Sequence, residues 1–233
     1  MNAPEVVASC VPADIAAALP RVVLFDFDGV LIHGDAFYLF MRERYARSWW
    51  RKGLACTAMP LLLPLLPFSR RWPVHVLVRI ALLGLREQGY QTAANDFAVA
   101  LARRSRQFCR DGLFRLRHHQ AQGDRVIVVT GCEATLVSSI LRELGLSGLE
   151  VLASQLRPGW AGMRPRRHNI GRRKVQSLTE HGVTAWQVAY GDSMQDVAML
   201  KPAVEAVLVN GTPTLCKKVE KALGRSVSRV QWL

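Results

Sequence analysis

The chain has 233 residues, and 50% of them are hydrophobic, which excludes a disordered protein and allows one sizeable core with an inserted smaller unit. Its formal charge of +13 favours an anionic partner, whether nucleic acid, a phosphorylated substrate or an anionic membrane surface. The five cysteines show neither close pairing nor metal-ligand spacing, which indicates a reducing compartment. Residues 1–20 lack the pattern of a signal peptide, so we expect a cytoplasmic protein.

The first predicted element is a buried strand that ends in two acidic residues. Apolar side chains fill residues 22–25, and Asp26 and Asp28 follow, separated by one residue. Side chains two apart in a strand point to the same face, so we expect the two carboxylates side by side where the strand ends. Gly29 then allows a tight turn. By itself this pattern is typical either of a metal-dependent nucleophile site or of a polar turn after a core strand.

The next segment, residues 34–111, contains helical patterns and almost nothing that resembles a strand, and we interpret it as an inserted helical cap. Helices are predicted over residues 36–51 and 92–110, with two apolar stretches, 54–68 and 74–85, between them. Neither stretch suits a conventional membrane-spanning helix, because each is too short or is broken by proline.

Tryptophan occurs beside arginine or lysine twice in this segment, in Trp49-Trp50-Arg51-Lys52 and in Arg70-Arg71-Trp72. Such pairs suit a membrane interface, where the rings lie at headgroup depth and the cations meet anionic lipid. A shallow hairpin that does not span the bilayer is therefore one interpretation. The other is that these helices pack on each other and on the core, with the tryptophans as large core side chains.

After this segment, predicted strands and helices alternate. The strands are apolar runs bounded by turn residues, at 125–129, 149–153, 186–190 and 204–209. The helices are predicted at 133–144, 172–180 and 212–223. Thr212 is the expected N-cap of the last helix, with Pro213 at its first position. This alternation predicts an α/β fold with a doubly wound, parallel, Rossmann-like sheet. We assign residues 1–33 and 112–233 to this core.

Polar side chains follow the later strands. The Thr130 hydroxyl and the Gly131 amide come after one strand and can donate to an anionic oxygen, and Lys174 can add a full positive charge. Asp192 lies in the loop after another strand, and Asp196 follows four residues on, so the two carboxylates lie near one another on one face if a helix starts there. Converging carboxylates repel unless a hard cation such as Mg²⁺ bridges them, and Mg²⁺ prefers oxygen ligands.

Together these segments resemble the haloacid dehalogenase (HAD) superfamily of phosphatases. The motifs stand in the order of that family: Asp26-Phe27-Asp28-Gly29-Val30, Thr130, Lys174 and Gly191-Asp192-Ser193-Met194-Gln195-Asp196. A helical insert directly after the first motif is similar to the branch that includes phosphoserine phosphatases. Within that branch, the apolar, proline-broken cap and the stretch Ala153-Ser154-Gln155-Leu156 leading to Gly171 and Lys174 resemble the bacterial phosphatidylglycerophosphatase C group.

The resemblance implies a two-step hydrolysis. Asp26 would attack phosphorus and form an aspartyl-phosphate. Asp28 would protonate the leaving oxygen and then take a proton from the attacking water, and its presence argues against a dehalogenase, because a departing halide needs no proton. Mg²⁺ would be held by the carboxylates of Asp26 and Asp192 and by the backbone carbonyl of Asp28.

The resemblance also implies the surroundings of the reacting group. Thr130, Gly131 and Lys174 would hold the remaining phosphoryl oxygens, and Asp196 would orient Lys174 or a metal-bound water. Asp35 falls where the phosphoserine branch has an acidic residue that meets the substrate, and it suits the N-cap of the first cap helix equally well.

Residues 157–174 contain seven basic side chains and no acid, which favours the gathering of an anionic substrate or lipid headgroups over a merely solvated surface. Pro158-Gly159 predicts a turn within this stretch, and with it a hairpin beside the active site.

We therefore expect hydrolysis of a phosphate monoester, on an anionic phospholipid such as phosphatidylglycerol phosphate, with peripheral contact at the cytoplasmic face of the inner membrane. The alternative is a soluble small-molecule phosphatase of the phosphoserine type. A catalytically silent module that binds lipid or nucleic acid is a third hypothesis. No nucleic acid is expected as partner, because no recognised nucleic-acid-binding module accompanies the charge.

Overall fold

The protein is described by a computed structural model, which covers residues 20–65, 68, 71–104 and 106–233. The strands of these residues are β1 (Val22–Phe25), β2 (Arg125–Glu133), β3 (Glu150–Arg157), β4 (Arg164–Arg167), β5 (Val188–Gly191), β6 (Glu205–Val209) and β7 (Ser228–Val230). They form one sheet in the order β4-β3-β2-β1-β5-β6-β7. Neighbouring strands are parallel except for β3 and β4, which are antiparallel.

Nine α-helices are found among the described residues. They are α1 (Ala36–Ala46), α2 (Trp49–Leu62), α3 (Arg71–Ala81), α4 (Glu87–Ala102), α5 (Arg110–Ala121), α6 (Ala134–Glu143), α7 (Arg172–Glu180), α8 (Val197–Leu200) and α9 (Pro213–Leu223). Helices α1 to α5 all lie between β1 and β2 in the chain. The predicted α/β class is confirmed, and the division into a core and a cap over 34–111 stays a prediction.

The sheet is covered on both faces, as predicted for a doubly wound fold. Along β1, Val23 and Phe25 belong to one apolar cluster, whereas Leu24 belongs to another on the opposite face. The alternation follows from the two-residue period of a strand. Side chains of α4 and α6 fill the first cluster, and side chains of α7 and α9 fill the second.

Helical boundaries differ most from prediction between β1 and β2. The single helix predicted over 36–51 is two helices, because Ser48 has an extended conformation between α1 and α2. The helix predicted over 92–110 begins earlier, at Glu87, and ends at Ala102. Residues 107–109 are not helical, and they pair with the loop after β1: the His33 N–H donates to the Gln107 carbonyl and the Cys109 N–H donates to the Leu31 carbonyl. These long-range hydrogen bonds join the segment to the loop after β1.

The later elements agree better with prediction. Helix α7 has the predicted bounds, and Thr212 caps α9 by accepting a hydrogen bond from the Leu215 N–H. The turn predicted at Pro158-Gly159 is confirmed as the connection of the β3–β4 hairpin. Strands β4 and β7 were not predicted, because both lie at sheet edges, where a strand needs no continuous apolar pattern.

The tryptophans of α2 and α3 are not core side chains. Trp49 is 84% exposed and Trp72 is 69% exposed, so the interpretation that buried them is wrong for these two residues. Trp50 is partly exposed, and the Arg51 guanidinium lies 4.3 Å from the centre of its ring, a cation–π contact. Within the described part of the chain, no helix combines the length and the hydropathy that a membrane span requires.

The cysteines Cys56, Cys109, Cys132 and Cys216 are free, and Cys10 lies outside the described residues.

Candidate active site

The carboxyl end of β1 presents Asp26 and Asp28. Asp26 is joined to the neighbouring strand β5 by a hydrogen bond from its N–H to the Tyr190 carbonyl, 3.0 Å long. Its Oδ1 accepts a hydrogen bond from the Phe27 N–H at 2.7 Å. Asp28 Oδ1 accepts from the N–H of Ala36 at 2.8 Å, which ties this carboxylate to the start of α1. Both side chains are therefore held in defined orientations.

Gly29 is required at the turn that follows for two reasons. Its φ is +74°, a conformation that other residues adopt only with strain. A Cβ atom built on it would lie 1.9 Å from Asp192 Oδ2, so any side chain would collide with that carboxylate. The glycine thus allows the turn after β1 to approach the loop after β5.

Three carboxylates converge between these two strand ends. One oxygen each of Asp26, Asp192 and Asp196 lies within 4.8 Å of the others. The parallel pairing of β1 with β5 explains the convergence, because the carboxyl ends of adjacent parallel strands meet at one edge of the sheet. Oxygen atoms at this spacing form the kind of ligand set that a hard divalent cation uses.

Lys174 lies between two of these carboxylates. Its Nζ is 3.0 Å from Asp26 Oδ2 and 2.7 Å from Asp196 Oδ1, and α7 places it there from its first turn. The other oxygen of Asp196 accepts hydrogen bonds from the Asp192 N–H and from the N–H and hydroxyl of Ser193. Asp196 therefore holds both the lysine and the loop after β5.

Thr130 and Gly131 lie within β2 and not after it, because the strand continues to Glu133. Pairing with β3 is irregular between Val129 and Glu133, so the two residues lie in a bulge. Thr130 is fully buried, and its hydroxyl accepts a hydrogen bond from the Cys132 N–H at 3.0 Å. Among the described residues this hydroxyl has no acceptor for its own proton, so the proton is available to a ligand.

Burial and neighbouring charges raise the pKa values of three carboxyl groups in the site. Burial, followed by repulsion from Asp196, raises the pKa of Asp26 well above its usual range in spite of Lys174. Burial raises the pKa of Asp28 to about 7 and is the main cause that raises the pKa of Asp192 to about 6. Burial is thus the main reason that these carboxyl groups resist ionisation, and repulsion between them adds to it for Asp26 and Asp192.

Asp196 and Lys174 form the ionised pair of the site. Burial opposes ionisation of Asp196, but the charge and hydrogen bond of Lys174 outweigh it and lower the pKa of this carboxyl. Burial likewise opposes the charge on Lys174, yet Asp26 and Asp196 raise its pKa above the usual range. The two groups are therefore charged throughout the neutral range.

The remaining predicted residues lie around this cluster. Asp35 is exposed and caps α1, with its Oδ1 accepting a hydrogen bond from the Tyr38 N–H at 2.7 Å, which confirms its capping role. The basic residues of 157–174 differ in their surroundings. Lys174 is buried in the site, whereas Arg157, Arg164 and Arg167 lie on the β3–β4 hairpin, where Arg167 is paired with Glu180 at 2.6 Å.

Asn169 and Ser177 were not anticipated, although both lie close to the predicted residues. Asn169 is buried, and its side chain donates to the Thr130 carbonyl and accepts from the Ser177 hydroxyl. No motif or periodicity indicated them, because they act through hydrogen bonds that exist only once β2, β3 and α7 are packed together.

The comparisons with known proteins agree with this geometry. The chain belongs to the family of haloacid dehalogenase-like hydrolases, whose pattern it matches over residues 23–201. That range includes every residue of the carboxylate cluster and Lys174.

Solved structures of low sequence identity share the fold. A protein of unknown function from Bordetella pertussis Tohama I is similar with a TM-score of 0.67 and 19% identity, over 90% of this chain and 98% of that one. A HAD family hydrolase from Salmonella enterica serovar Typhi has a TM-score of 0.59 and 14% identity, over 91% of this chain and 68% of its own. A phosphoserine phosphohydrolase-like protein from Francisella tularensis has a TM-score of 0.58 and 13% identity, over 90% and 94%.

Proposed function

We propose that this hydrolase cleaves phosphate monoesters with the help of Mg²⁺ and through an aspartyl-phosphate formed on Asp26. The observation that carries the proposal is the position of the Asp26 carboxylate, which contacts Lys174 and converges with Asp192 and Asp196 at one sheet edge. Several structures of similar fold are named phosphoserine phosphatases, and one is described as an analogue of a phospho-aspartyl intermediate.

Asp26 and Asp28 have separate roles in this proposal. Asp26 is the nucleophile, held by the Phe27 N–H and by Lys174 so that its carboxylate faces the phosphoryl group. Asp28 is the general acid and base, because a buried carboxyl with a pKa of about 7 can both give and take a proton near neutrality.

The donor set fits Mg²⁺. The carboxylates of Asp26 and Asp192, whose oxygens lie within 4.8 Å of each other, would hold the ion together with the backbone carbonyl of Asp28. All three are hard oxygen ligands. Burial and the repulsion of Asp196 raise the pKa of Asp26 and that of Asp192, and a cation bound between them would favour their ionised forms. When bound, the ion supplies positive charge that stabilises the phosphoryl group during transfer.

The phosphoryl oxygens would be bound by three donors. The Thr130 hydroxyl keeps a proton to donate, because its oxygen already accepts the hydrogen bond of the Cys132 N–H. The Gly131 N–H and the charged Lys174 ammonium complete the set. Preorganised donors of this kind stabilise the charge of the transition state because they need no reorganisation during the reaction.

We also propose that residues 34–111 form a cap and that the substrate is an anionic phospholipid, such as phosphatidylglycerol phosphate. Apolar side chains exposed around α2 and α3 support this, and we call them the α2–α3 surface: Trp49, Leu61, Leu63, Phe68, Trp72 and Val74. Between Glu43 and Glu87 the chain has eight lysines and arginines and no acid. Exposed rings and aliphatic groups within a segment that carries basic residues and no acid match the interface of an anionic bilayer.

One assay tests the reaction and the substrate together. Purified protein is incubated with phosphatidylglycerol phosphate in mixed micelles and, in parallel, with phosphoserine and other soluble monoesters, each with Mg²⁺ or with EDTA. We expect Mg²⁺-dependent release of phosphate and preference for the lipid. Activity restricted to soluble esters would assign the phosphoserine type of function, and no release from any ester would reject the phosphatase proposal.

A further inference from the structure

The bulge in β2 is the structural origin of the proposed phosphate-binding groups. Val129 pairs with Leu152 and Glu133 pairs with Ser154, so three residues of β2 lie opposite a single residue of β3. The three bulged residues are Thr130, Gly131 and Cys132. A bulge bends a strand and re-aims its side chains, but it also interrupts the regular ladder that keeps a strand rigid. The bulged segment therefore needs other partners to keep one conformation.

Two side chains supply these partners by donating to carbonyl groups of the bulge. Ser154 Oγ donates to the Gly131 carbonyl across 2.6 Å. Asn169 Nδ2 donates to the Thr130 carbonyl across 3.3 Å and to the Leu152 carbonyl across 2.8 Å. The two side chains form one unit, because the Asn169 N–H donates to Ser154 Oγ at 2.8 Å. Asn169 is only 1% exposed, so water does not compete for these hydrogen bonds.

The same unit reaches the lysine of the site. Ser177 Oγ lies 3.0 Å from Asn169 Oδ1 and 2.9 Å from the Lys174 carbonyl, so its single proton is shared between the two acceptors. The loop that carries Asn169 also packs directly on the bulge, since a Cβ atom at Gly131 would lie 2.9 Å from Ile170 Cγ2. Hydrogen bonds and packing therefore join the bulge to the first turn of α7.

We propose that Ser154 and Asn169 are positioning residues, which hold Thr130 and Gly131 at a set distance from Lys174. The inference rests on the proposed function, because it assigns these three groups to the phosphoryl oxygens. Neither Ser154 nor Asn169 touches the substrate. They act through the backbone of the bulge, which fixes the directions of the Thr130 hydroxyl and of the Gly131 N–H. Misplacing such donors by about 1 Å costs a rate factor on the order of a hundred.

The test compares Ser154→Ala and Asn169→Ala with the native chain. We expect kcat to fall about tenfold to a hundredfold in each, as for other residues that orient a catalytic group, and inhibition by inorganic phosphate to weaken in parallel. Ser154→Thr keeps the hydroxyl and should restore both constants. Ser138→Ala, which removes an exposed hydroxyl from α6, is the matched control and should change neither. Should Asn169→Ala fail to fold, Ser177→Ala provides a half-buried substitution of the same unit.

Hydrogen–deuterium exchange of a peptide covering residues 129–133 supplies a readout independent of activity. Faster exchange in Ser154→Ala and Asn169→Ala, with unchanged exchange in β5, would support the positioning role. Folded variants with native exchange and native inhibition by phosphate would overturn it. If the native chain hydrolyses no phosphate monoester, the proposed function fails by itself, and unchanged exchange in the variants would still reject the role of Ser154 and Asn169.

Discussion

The ammonium group of Lys174 donates to the Asp196 carboxylate across 2.7 Å, and the two side chains are only 2% and 0% exposed. The pair connects α7 with the loop after β5, and Asp26 lies against the same ammonium at 3.0 Å. A charge removed from water at this depth is costly unless its partner is present. The Lys174–Asp196 pair therefore contributes to the stability of the fold as well as to the arrangement of the site.

Lys174→Met should destabilise the fold strongly, because Asp26 and Asp196 would remain buried without their counter-charge. Removing one partner of a buried ion pair costs about 3–5 kcal/mol. Arg47→Met is the control, since Arg47 pairs with Glu43 at 2.6 Å but is 64% exposed, and such a pair contributes about 1 kcal/mol or less. Urea unfolding measures both free energies. Equal losses in the two variants would show that burial of the Lys174 pair has no energetic consequence.

Mg²⁺ should raise the thermal midpoint of unfolding, because binding to the folded carboxylate cluster relieves its repulsion. At a concentration 100 times the dissociation constant the gain is about 2.7 kcal/mol. Asp192→Asn should reduce the shift, whereas Asp96→Asn, at an exposed site on α4, should leave it unchanged. Calorimetry with Mg²⁺ and with EDTA provides the comparison. An identical shift in both variants would exclude Asp192 as a ligand.

Asp26→Asn should remove nearly all turnover, since an amide cannot form the aspartyl-phosphate. Asp28→Asn should lower kcat by about a hundredfold to ten-thousandfold, the usual contribution of general acid–base catalysis. Glu87→Gln, an exposed acid in the first turn of α4, is expected to retain native rates. Phosphate release in steady state gives all three values. Turnover that survives in Asp26→Asn would rule out this nucleophile.

Two variants of Asp35 distinguish its capping role from a role in substrate binding. Asparagine caps helices as well as aspartate does, so Asp35→Asn should keep native stability, whereas Asp35→Ala should lose about 1 kcal/mol. Chemical denaturation measures the difference. If Asp35 also meets the substrate, Asp35→Asn will raise KM without altering the unfolding midpoint. Equal stability of Asn and Ala variants would contradict the observed cap.

The α2–α3 surface should bind vesicles that contain anionic lipid, and more weakly at high salt, because screening weakens the attraction between the lipid and the lysines and arginines of the same segment. Replacing Trp49 and Trp72 by alanine should reduce binding at least about tenfold, since each buried ring contributes roughly 1.5–3 kcal/mol. Phe114→Ala, on α5, removes an exposed ring outside this surface and should have no effect. Flotation of the protein with liposomes is the measurement. A native chain that stays in the aqueous fraction would reject bilayer contact.

The alternation of apolar runs and helical patterns after residue 111 was sufficient to predict the parallel sheet, because central strands and their helices must bury apolar faces whatever their neighbours. The edge strands β4 and β7 were not predicted, because a strand at the edge of a sheet does not have to be apolar on both faces. The break between α1 and α2 was not predicted for a different reason. The helical periodicity of the sequence continues across Ser48, whereas the backbone is extended there.

Asp26, Asp28, Asp192 and Asp196 could be proposed as site residues from the sequence, because they follow buried strands whose carboxyl ends meet at one sheet edge. The structure brings the carboxylates of Asp26, Asp192 and Asp196 together. The position of Thr130 could not be predicted correctly, since a strand that continues through a bulge has the same local pattern as a strand that ends. Only the packing of β3 and α7 on β2 shows that Ser154, Asn169 and Ser177 surround the bulge.

The sequence by itself therefore determined the fold class and the acids of the site, through strand burial and the spacing of carboxylates along the chain. Only the tertiary structure decided which groups hold those acids and how Thr130 is presented. It also decided that Trp49 and Trp72 face solvent. The physical reason is that burial and hydrogen bonding between distant segments depend on packing, and local patterns of residues do not specify packing.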